Sequence, residues 1–189
     1  MPDNRSAILQ CALNLFAARG YDAVGVQEVA EAAGITKPTL YHYYGSKLGL
    51  LKALFETYHT PLNAAVQGAA HYAGDLPLSL VTLAQVYFDF ARRHPVYYRL
   101  QLALVFAPRH SEANSVASAW NAQQHQSIES LFEAAVRDHG NMQGRQRLYA
   151  AMFIGALNTC IGMWLNGYTE LDEELLQRVV RQFQYGIYS

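Results

Sequence analysis

Apolar positions recur at three- and four-residue intervals along almost the whole chain, and no segment alternates apolar and polar residues over the length of a strand. This spacing is typical of amphipathic helices. A first helix carries an apolar stripe of Ile8, Ala12, Leu15 and Phe16 and ends at Gly20, which can adopt the left-handed conformation of a helix cap. A second helix ends at Gly34, a third begins near Thr36, and Ser46 starts a longer one.

Prolines and glycines divide the rest of the chain into five longer helical segments. We predict these helices at about 78–93, 96–106, 112–138, 145–166 and 172–187. The predicted fold is therefore all-α with about nine helices. It has an N-terminal three-helix head at residues 1–50 and a C-terminal helical bundle at residues 51–189.

Composition adds a local charge difference to this picture. Hydrophobic residues make up 51% of the chain, enough for a sizeable core, and the net charge is −1. Residues 1–52 carry five basic and four acidic side chains, whereas the remainder carries nine basic and eleven acidic ones. All three lysines lie between residues 37 and 52, a weak indication that the head binds an acidic partner.

Several classes of protein are disfavoured by the sequence. Cys11 and Cys160 both lie in apolar helical patterns, which favours buried thiols in a reducing compartment over a disulfide. The start does not resemble a signal peptide, and no uninterrupted apolar run reaches about 18 residues, so we expect a soluble cytoplasmic protein. Zinc-protease, phosphate-loop and nucleophile-elbow patterns are absent, so we expect no enzyme, no cofactor and no metal site.

The second helix, the Gly34-Ile35 turn and the third helix have the dimensions of a helix-turn-helix, although helical hairpins of other kinds share them. On the third helix, Leu40 and Tyr44 share one face and are predicted to point into the core. The opposite face carries Pro38, Thr39, His42 and Tyr43, with Tyr41 beside Lys37 on the flank. An open face of this composition, with lysines at both ends, indicates a contact surface.

Each of these side chains has a role available at a DNA surface. Thr39 can donate to a phosphate or a base edge, and its methyl group can meet that of thymine. Tyr41 and Tyr43 can donate their hydroxyls to phosphate oxygens. Lys37 can donate to guanine, and Lys47 offers a point charge to the phosphate backbone. An alternative for His42 is a surface imidazole without a role.

The run "VQEVAEAAGITKPTLYHYYGSKLGLLKALF" at residues 26–55 resembles the DNA-binding signature of the TetR family of bacterial transcriptional regulators. The resemblance covers about the first 55 residues closely. It implies a homodimer whose two heads enter successive major grooves of a palindromic operator in double-stranded DNA. The predicted DNA-binding residues are Gln27, Thr36, Lys37, Pro38, Thr39, Tyr41, His42, Tyr43 and Lys47.

The chain departs from the usual family pattern at two places. A Thr or Ser often caps the second helix, but this sequence reads Val24-Gly25-Val26-Gln27, which leaves Gln27 as the best substitute for a phosphate contact. Position 43 is frequently His and position 44 Phe in the family, whereas this chain has Tyr at both. The hydroxyl of Tyr44 needs a hydrogen-bond partner if the side chain is buried.

The last two predicted helices carry small and apolar residues beyond what one body needs to fold. In the family such a pair forms a four-helix bundle with a second copy, so the resemblance implies a homodimer through these helices.

Residues 87–132 are unusually aromatic for a helical bundle, and we expect them to line a cavity for a small apolar or aromatic effector. The predicted ligand-binding residues are Tyr87, Phe88, Tyr98, Leu102, Phe106, Trp120, Phe132 and Asn158. The alternative is aromatic residues packed in a core or a dimer interface.

The resulting hypothesis is a sequence-specific transcriptional regulator, a repressor that its effector releases from the operator. Two alternatives remain at this point. One is an all-α small-molecule-binding protein or enzyme without a DNA-binding role, and the other is a regulator without a small-molecule effector.

Overall fold

The computed structural model describes residues 4–138 and 140–185, and its regular structure there is entirely helical. Nine α-helices lie in these ranges: α1 (Asn4–Arg19), α2 (Val26–Ala32), α3 (Lys37–Tyr44), α4 (Lys47–Ala69), α5 (Leu76–Arg93), α6 (Pro95–Val105), α7 (Glu112–Ala135), α8 (Gln146–Leu165) and α9 (Glu173–Tyr185). A 3₁₀ turn spans Gly140–Met142. The predicted all-α fold is confirmed, and each helix predicted in the body has its counterpart. The predicted end of the last helix at residue 187 lies outside the described residues.

The chain packs into two compact units. The first comprises residues up to Thr60 together with Val96–Trp120, and the second comprises Pro61–Pro95 together with residues from Asn121 onward. Helices α4 and α7 each contribute to both units. The functional division that the sequence predicts at residue 50 is a separate matter and stays a prediction.

The N-terminal helices of the first unit pack through their apolar stripes, with α1 against α2 and α2 against α3. Helix α1 buries Ile8, Ala12, Leu13 and Phe16. The predicted stripe contained Leu15, which is half-buried, while Leu13 is buried. Removal of these side chains from water is the main force that holds the short helices together, because isolated helices of this length are marginal in water.

Tyr44 anchors the C-terminal end of α3. Its side chain is 8% exposed, whereas Tyr41 and Tyr43 are 40% and 37% exposed, so the prediction of a single core tyrosine among the three is confirmed. The hydroxyl of Tyr44 donates to the main-chain carbonyl of Arg5 on α1 at 2.6 Å. This bond satisfies the polar end of a buried ring and ties α3 to α1.

The connection from α3 to α4 is unusually tight. Gly45 has φ +70°, and the hydroxyl of Ser46 accepts a hydrogen bond from the amide of Gly49 at 2.9 Å, which caps α4. A Cβ atom at Gly49 would lie 1.9 Å from the carbonyl oxygen of Tyr44. Glycine is therefore required at position 49 for α4 to begin this close to the end of α3.

The second unit has α5 packed against α8 and α9, which also pack against each other. A chain of hydrogen bonds satisfies the buried Tyr87 within this unit. The Tyr87 hydroxyl donates to Gln124 at 2.8 Å, the Gln124 amide donates to Asn63 at 2.9 Å, and the Asn63 amide donates to Gln123 at 2.7 Å. Buried polar groups with such partners hold side chains in one arrangement.

Helix α8 is apolar on its exposed side as well as in the core. Leu148, Met152 and Met163 are exposed large side chains, and Gly155 and Thr159 are exposed between them. Residues Gln146–Leu165 are also long and apolar enough to cross a membrane, although the polar pair Asn158 and Thr159 interrupts the run. An interface helix of a globular protein has the same composition, so this property alone is weak evidence for a membrane span.

Tyr44→Phe should lower the free energy of unfolding by about 1 kcal/mol, because it removes one hydrogen bond and keeps the ring. Urea denaturation measures the change. Tyr41→Phe is the matched control, since Tyr41 is on the exposed side of the same helix. Equal stabilities of the two variants would contradict the anchoring role of Tyr44.

Gly49→Ala should destabilise the protein by about 1–3 kcal/mol, because the added methyl group forces the α3–α4 junction apart. Gly68→Ala in the same helix, where a Cβ meets no atom within 4 Å, should instead stabilise it by about 0.5–1 kcal/mol. The opposite signs can be read from thermal and urea denaturation. A neutral effect at position 49 would mean that the junction is not tight.

Candidate nucleic-acid interface and ligand-binding residues

Two hydroxyl groups lie at the N-terminal end of α3. Thr36 is the N-cap, and its hydroxyl accepts a hydrogen bond from the Thr39 amide at 3.4 Å. The two threonine hydroxyls also share a hydrogen bond at 2.9 Å, and Pro38 lies in the first turn, where a missing amide costs little. The N-terminus of a helix carries a partial positive charge, so an anion is favoured beside these hydroxyls.

The outward face of α3 consists of aromatic and basic side chains. Lys37, Tyr41, His42 and Tyr43 are all exposed, as predicted. The ammonium of Lys37 lies 5.8 Å from the centre of the Tyr41 ring. The rings of His42 and Tyr43 lie 5.6 Å apart at 71°, an edge-to-face arrangement. These contacts limit the motion of long side chains before any partner is bound, which lowers the entropy cost of binding.

Lys47 is held by residues of the loop between α1 and α2. Its ammonium lies 4.3 Å from the centre of the Tyr21 ring and donates to the main-chain carbonyl of Asp22 at 3.3 Å. The Tyr21 hydroxyl in turn donates to Glu112 at 3.4 Å, and burial and the Glu112 carboxylate raise the pKa of Tyr21. No sequence pattern marks Tyr21, apart from its position after the Gly20 cap.

The start of α2 uses a carboxylate in place of a capping hydroxyl. Gly25 is the N-cap, and its amide donates to Glu28 at 3.1 Å. Glu28 also forms an ion pair with Arg19. The pKa of the Glu28 carboxyl is lowered, mainly by the hydrogen bond from the Gly25 amide and next by the contact with Arg19. Gln27 is exposed and donates to Glu31 at 2.8 Å. The end of α2 that departs from the family pattern is thus capped, and Gln27 is accessible at its surface.

The predicted ligand-binding residues are divided between the two units. Tyr98, Leu102, Phe106 and Trp120 belong to the first unit, and Tyr87, Phe88, Phe132 and Asn158 belong to the second. Tyr87, Phe88 and Tyr98 are fully buried, Leu102, Trp120 and Asn158 are half-buried, and Phe106 is 87% exposed. The aromatic residues that the sequence groups together are therefore packed as parts of separate cores, and their role in ligand binding stays a prediction.

A buried aromatic cluster in the first unit includes two residues that the sequence did not single out, Tyr58 and His59. The rings of Tyr58 and Tyr97 stack at 4.6 Å, and the His59 imidazole is hydrogen-bonded to the Tyr97 hydroxyl. Trp120 lies beside His59, with their ring centres 5.9 Å apart. Burial raises the pKa of Tyr97, so its hydroxyl stays protonated. Tyr58 and His59 lie on α4, before the aromatic segment of residues 87–132. The sequence pattern therefore did not include them.

Among the predicted ligand-binding residues, Phe132 lines a cavity of about 400 Å³ in the second unit. This volume lies within the range of small-molecule sites. Leu80, Met142, Tyr149 and Phe183 complete most of its apolar wall. No local sequence pattern groups these four residues, because they come from separate elements that only the packing brings together.

Comparison with known proteins connects this geometry to a family. A family model described as "Bacterial regulatory proteins, tetR family" matches residues 8–54, the segment that contains α2 and α3. The chain is 27% identical over 184 residues to the HTH-type transcriptional activator FasR of Mycolicibacterium smegmatis, covering 97% of this chain and 82% of that protein.

Two solved structures share the fold over nearly the whole chain. The fatty acid degradation regulator FadR from Bacillus halodurans superimposes with a TM-score of 0.77 at 20% identity, covering 99% of this chain and 97% of that one. The transcriptional regulator FadR from Bacillus subtilis, solved in complex with stearoyl-CoA, gives 0.80 at 18% identity, covering 96% and 98%. Residues 8–54 thus match the tetR family of bacterial regulatory proteins, and the chain shares its fold with solved bacterial regulators.

Proposed function

We propose that the protein acts in the cytoplasm as a homodimer that binds a palindromic operator and changes its affinity for that operator when a small molecule binds. The observation that carries the DNA-binding part is the outward face of α3, where exposed aromatic and basic side chains surround a capped helix N-terminus. In a helix-turn-helix this second helix enters the major groove.

The contacts on α3 divide into positioning and sequence-reading groups. Thr36, Tyr41 and Lys47 are suited to phosphate oxygens, which fix the helix on the duplex without reading sequence. Thr39 and Lys37 are suited to base edges, through a methyl group and a charged donor respectively. Tyr43 projects from the same face and replaces the histidine frequent at this position, so it is the residue through which this chain would differ from its relatives in operator choice.

The dimer is proposed to form through α8 and α9. From Leu148 to Leu165 there is no charged residue, and the exposed side of α8 carries large apolar side chains next to glycines that permit close approach of a second helix. An exposed apolar surface of this kind is costly in water and favours burial against another copy.

The effector is proposed to contain a long apolar part. The Bacillus subtilis neighbour was solved with stearoyl-CoA, and the Bacillus halodurans neighbour is named for fatty acid degradation. The second unit of this chain offers an apolar cavity. A ligand that binds one head-to-head spacing better than another shifts the population toward it, and an operator accepts only heads about 34–36 Å apart.

Whether release from the operator lowers or raises transcription depends on where the operator lies relative to the promoter. We propose repression, with release by the effector. The relative FasR is named an activator, so a family member can act in the opposite sense.

Lys37→Ala and Tyr43→Ala should each weaken binding to a selected operator by about five- to 150-fold, because each removes a contact of about 1–3 kcal/mol on α3. Fluorescence anisotropy at several salt concentrations measures this. Lys52→Ala is the control, since Lys52 is an exposed lysine on α4. Its affinity should fall less than threefold. If all three variants bind alike, the contact assignment is wrong.

Gly155→Arg should convert the dimer to a monomer and abolish operator binding, because it places a charge in the centre of the exposed α8 face. Analytical ultracentrifugation gives the mass and circular dichroism checks the helix content, which should be unchanged. Gly68→Arg, an exposed glycine of α4, should remain dimeric. A dimeric Gly155→Arg protein would exclude this face as the interface.

A further inference from the structure

Two hollows adjoin each other in the second unit. One is the apolar cavity of about 400 Å³, and the other is a groove of about 440 Å³ between the start of α5 and α9. Pro77, Gln184 and Tyr185 line both of them. A ligand that enters from the groove can therefore extend into the cavity.

The cavity is lined mainly by apolar and aromatic side chains. Leu80 and Phe132 are fully buried, and the ring centres of Phe132 and Phe183 lie 6.0 Å apart. The Tyr149 ring meets Phe183 edge-on at 6.4 Å. Side chains from α5, α7, α8 and α9 converge here with Met142 of the 3₁₀ turn. Such a lining suits an alkyl chain or another apolar group.

The groove has a different character because α9 contributes charged side chains to it. Arg178, Arg181 and Glu174 line it, so its net charge is positive. Glu174 and Arg178 form an ion pair at 3.7 Å, but both side chains are more than 70% exposed, and such pairs are weak. Arg181 forms neither an ion pair nor a hydrogen bond with the residues that the structure describes. Its guanidinium is available to a bound anion.

We propose that the two hollows form one binding site for an amphipathic anion, with the apolar chain in the cavity and the carboxylate or phosphate on Arg181. Arg178 adds a second positive charge beside the bound anion. Glu174 weakens binding of the anion, because its carboxylate pairs with Arg178. The ligand class is set by this adjacency, since a neutral molecule leaves the arginines unused and a cation is repelled by them.

The regulatory side of this inference rests on the proposed function. A ligand in the site contacts both α5 and α9, and α9 is one of the two helices that we propose at the dimer interface. Occupancy therefore favours one arrangement of α9 and changes the affinity for the operator by the ligand's differential binding to the two arrangements.

The test uses the full chain and four probes with the same ten-carbon chain, kept below their micelle concentrations: decanoate, decyl phosphate, decanol and decyltrimethylammonium. Isothermal titration calorimetry should show saturable binding of at least one anion, at least tenfold weaker binding of decanol, and no binding of the cation. The two anions distinguish a carboxylate-selective site from a phosphate-selective one.

Variants locate the site. Arg181→Ala should weaken binding of the anion at least tenfold and leave the affinity for decanol unchanged. Glu174→Gln should strengthen binding of the anion several-fold and also leave the affinity for decanol unchanged. Gln184→Trp places a large side chain where the groove and the cavity meet, so it should weaken binding of the anion and of decanol. Arg109→Ala, an exposed arginine of the first unit, is the control and should bind as the unaltered protein does. A gain of affinity on loss of a carboxylate is not expected from a purely structural role.

Equal affinities for decanol and the anions, or an Arg181→Ala protein that binds as the unaltered one does, would overturn the proposed site. Absence of binding by any anion would overturn it as well, and operator binding then shows whether the proposed function stands without it. If the anions bind as expected but no DNA is selected, the ligand site stands and the proposed function fails. Operator affinity that responds to the anion in the unaltered protein, but not in Gln184→Trp, supports the regulatory link.

Discussion

The position of α3 depends on the way its last turn is held between α1 and α4. Tyr44 buries its ring and donates its hydroxyl to the Arg5 carbonyl, and Gly49 lets the backbone of α4 pass close to the Tyr44 carbonyl. A helix of eight residues has little stability of its own, so these contacts decide where its outward face lies. The position of the α3 residues in the candidate interface therefore depends on this junction.

Side chains next to the junction also fix the position of Lys47, one of the proposed DNA contacts. Lys47 follows Ser46 at the start of α4, and its ammonium is held by the Tyr21 ring and the Asp22 carbonyl. Glu112 of α7 hydrogen-bonds to the same tyrosine. A cation that we propose for phosphate binding thus shares a contact network with a helix that also contributes to the second unit.

Periodicity predicted the fold well because every helix of the described chain buries an apolar stripe. It also separated Tyr44 from Tyr41 and Tyr43, since a turn of about 100° per residue fixes which side chains share a face. It could not predict that Leu13 is more deeply buried than Leu15, because both positions fit the edge of the same stripe.

The ligand-binding residues of the body were harder to predict, because tertiary packing decides which residues come together. The segment from residue 87 to 132 contains many aromatic residues, but they fall into two units, and Phe106 lies at the surface. The cavity instead gathers Leu80, Phe132, Met142, Tyr149 and Phe183, which are separated along the chain. No local pattern marks such a set, and Arg178 and Arg181 look like ordinary exposed residues until the adjoining cavity is seen.

In the proposed function, two copies of α3 read one symmetric DNA site. Selection of bound sequences from random DNA, followed by hydroxyl-radical footprinting of the enriched sequence, tests it most directly. We expect an inverted repeat with two protected segments whose centres lie about one helical turn, roughly 10 base pairs, apart. Enrichment of no sequence, or protection of a single site without symmetry, would contradict it.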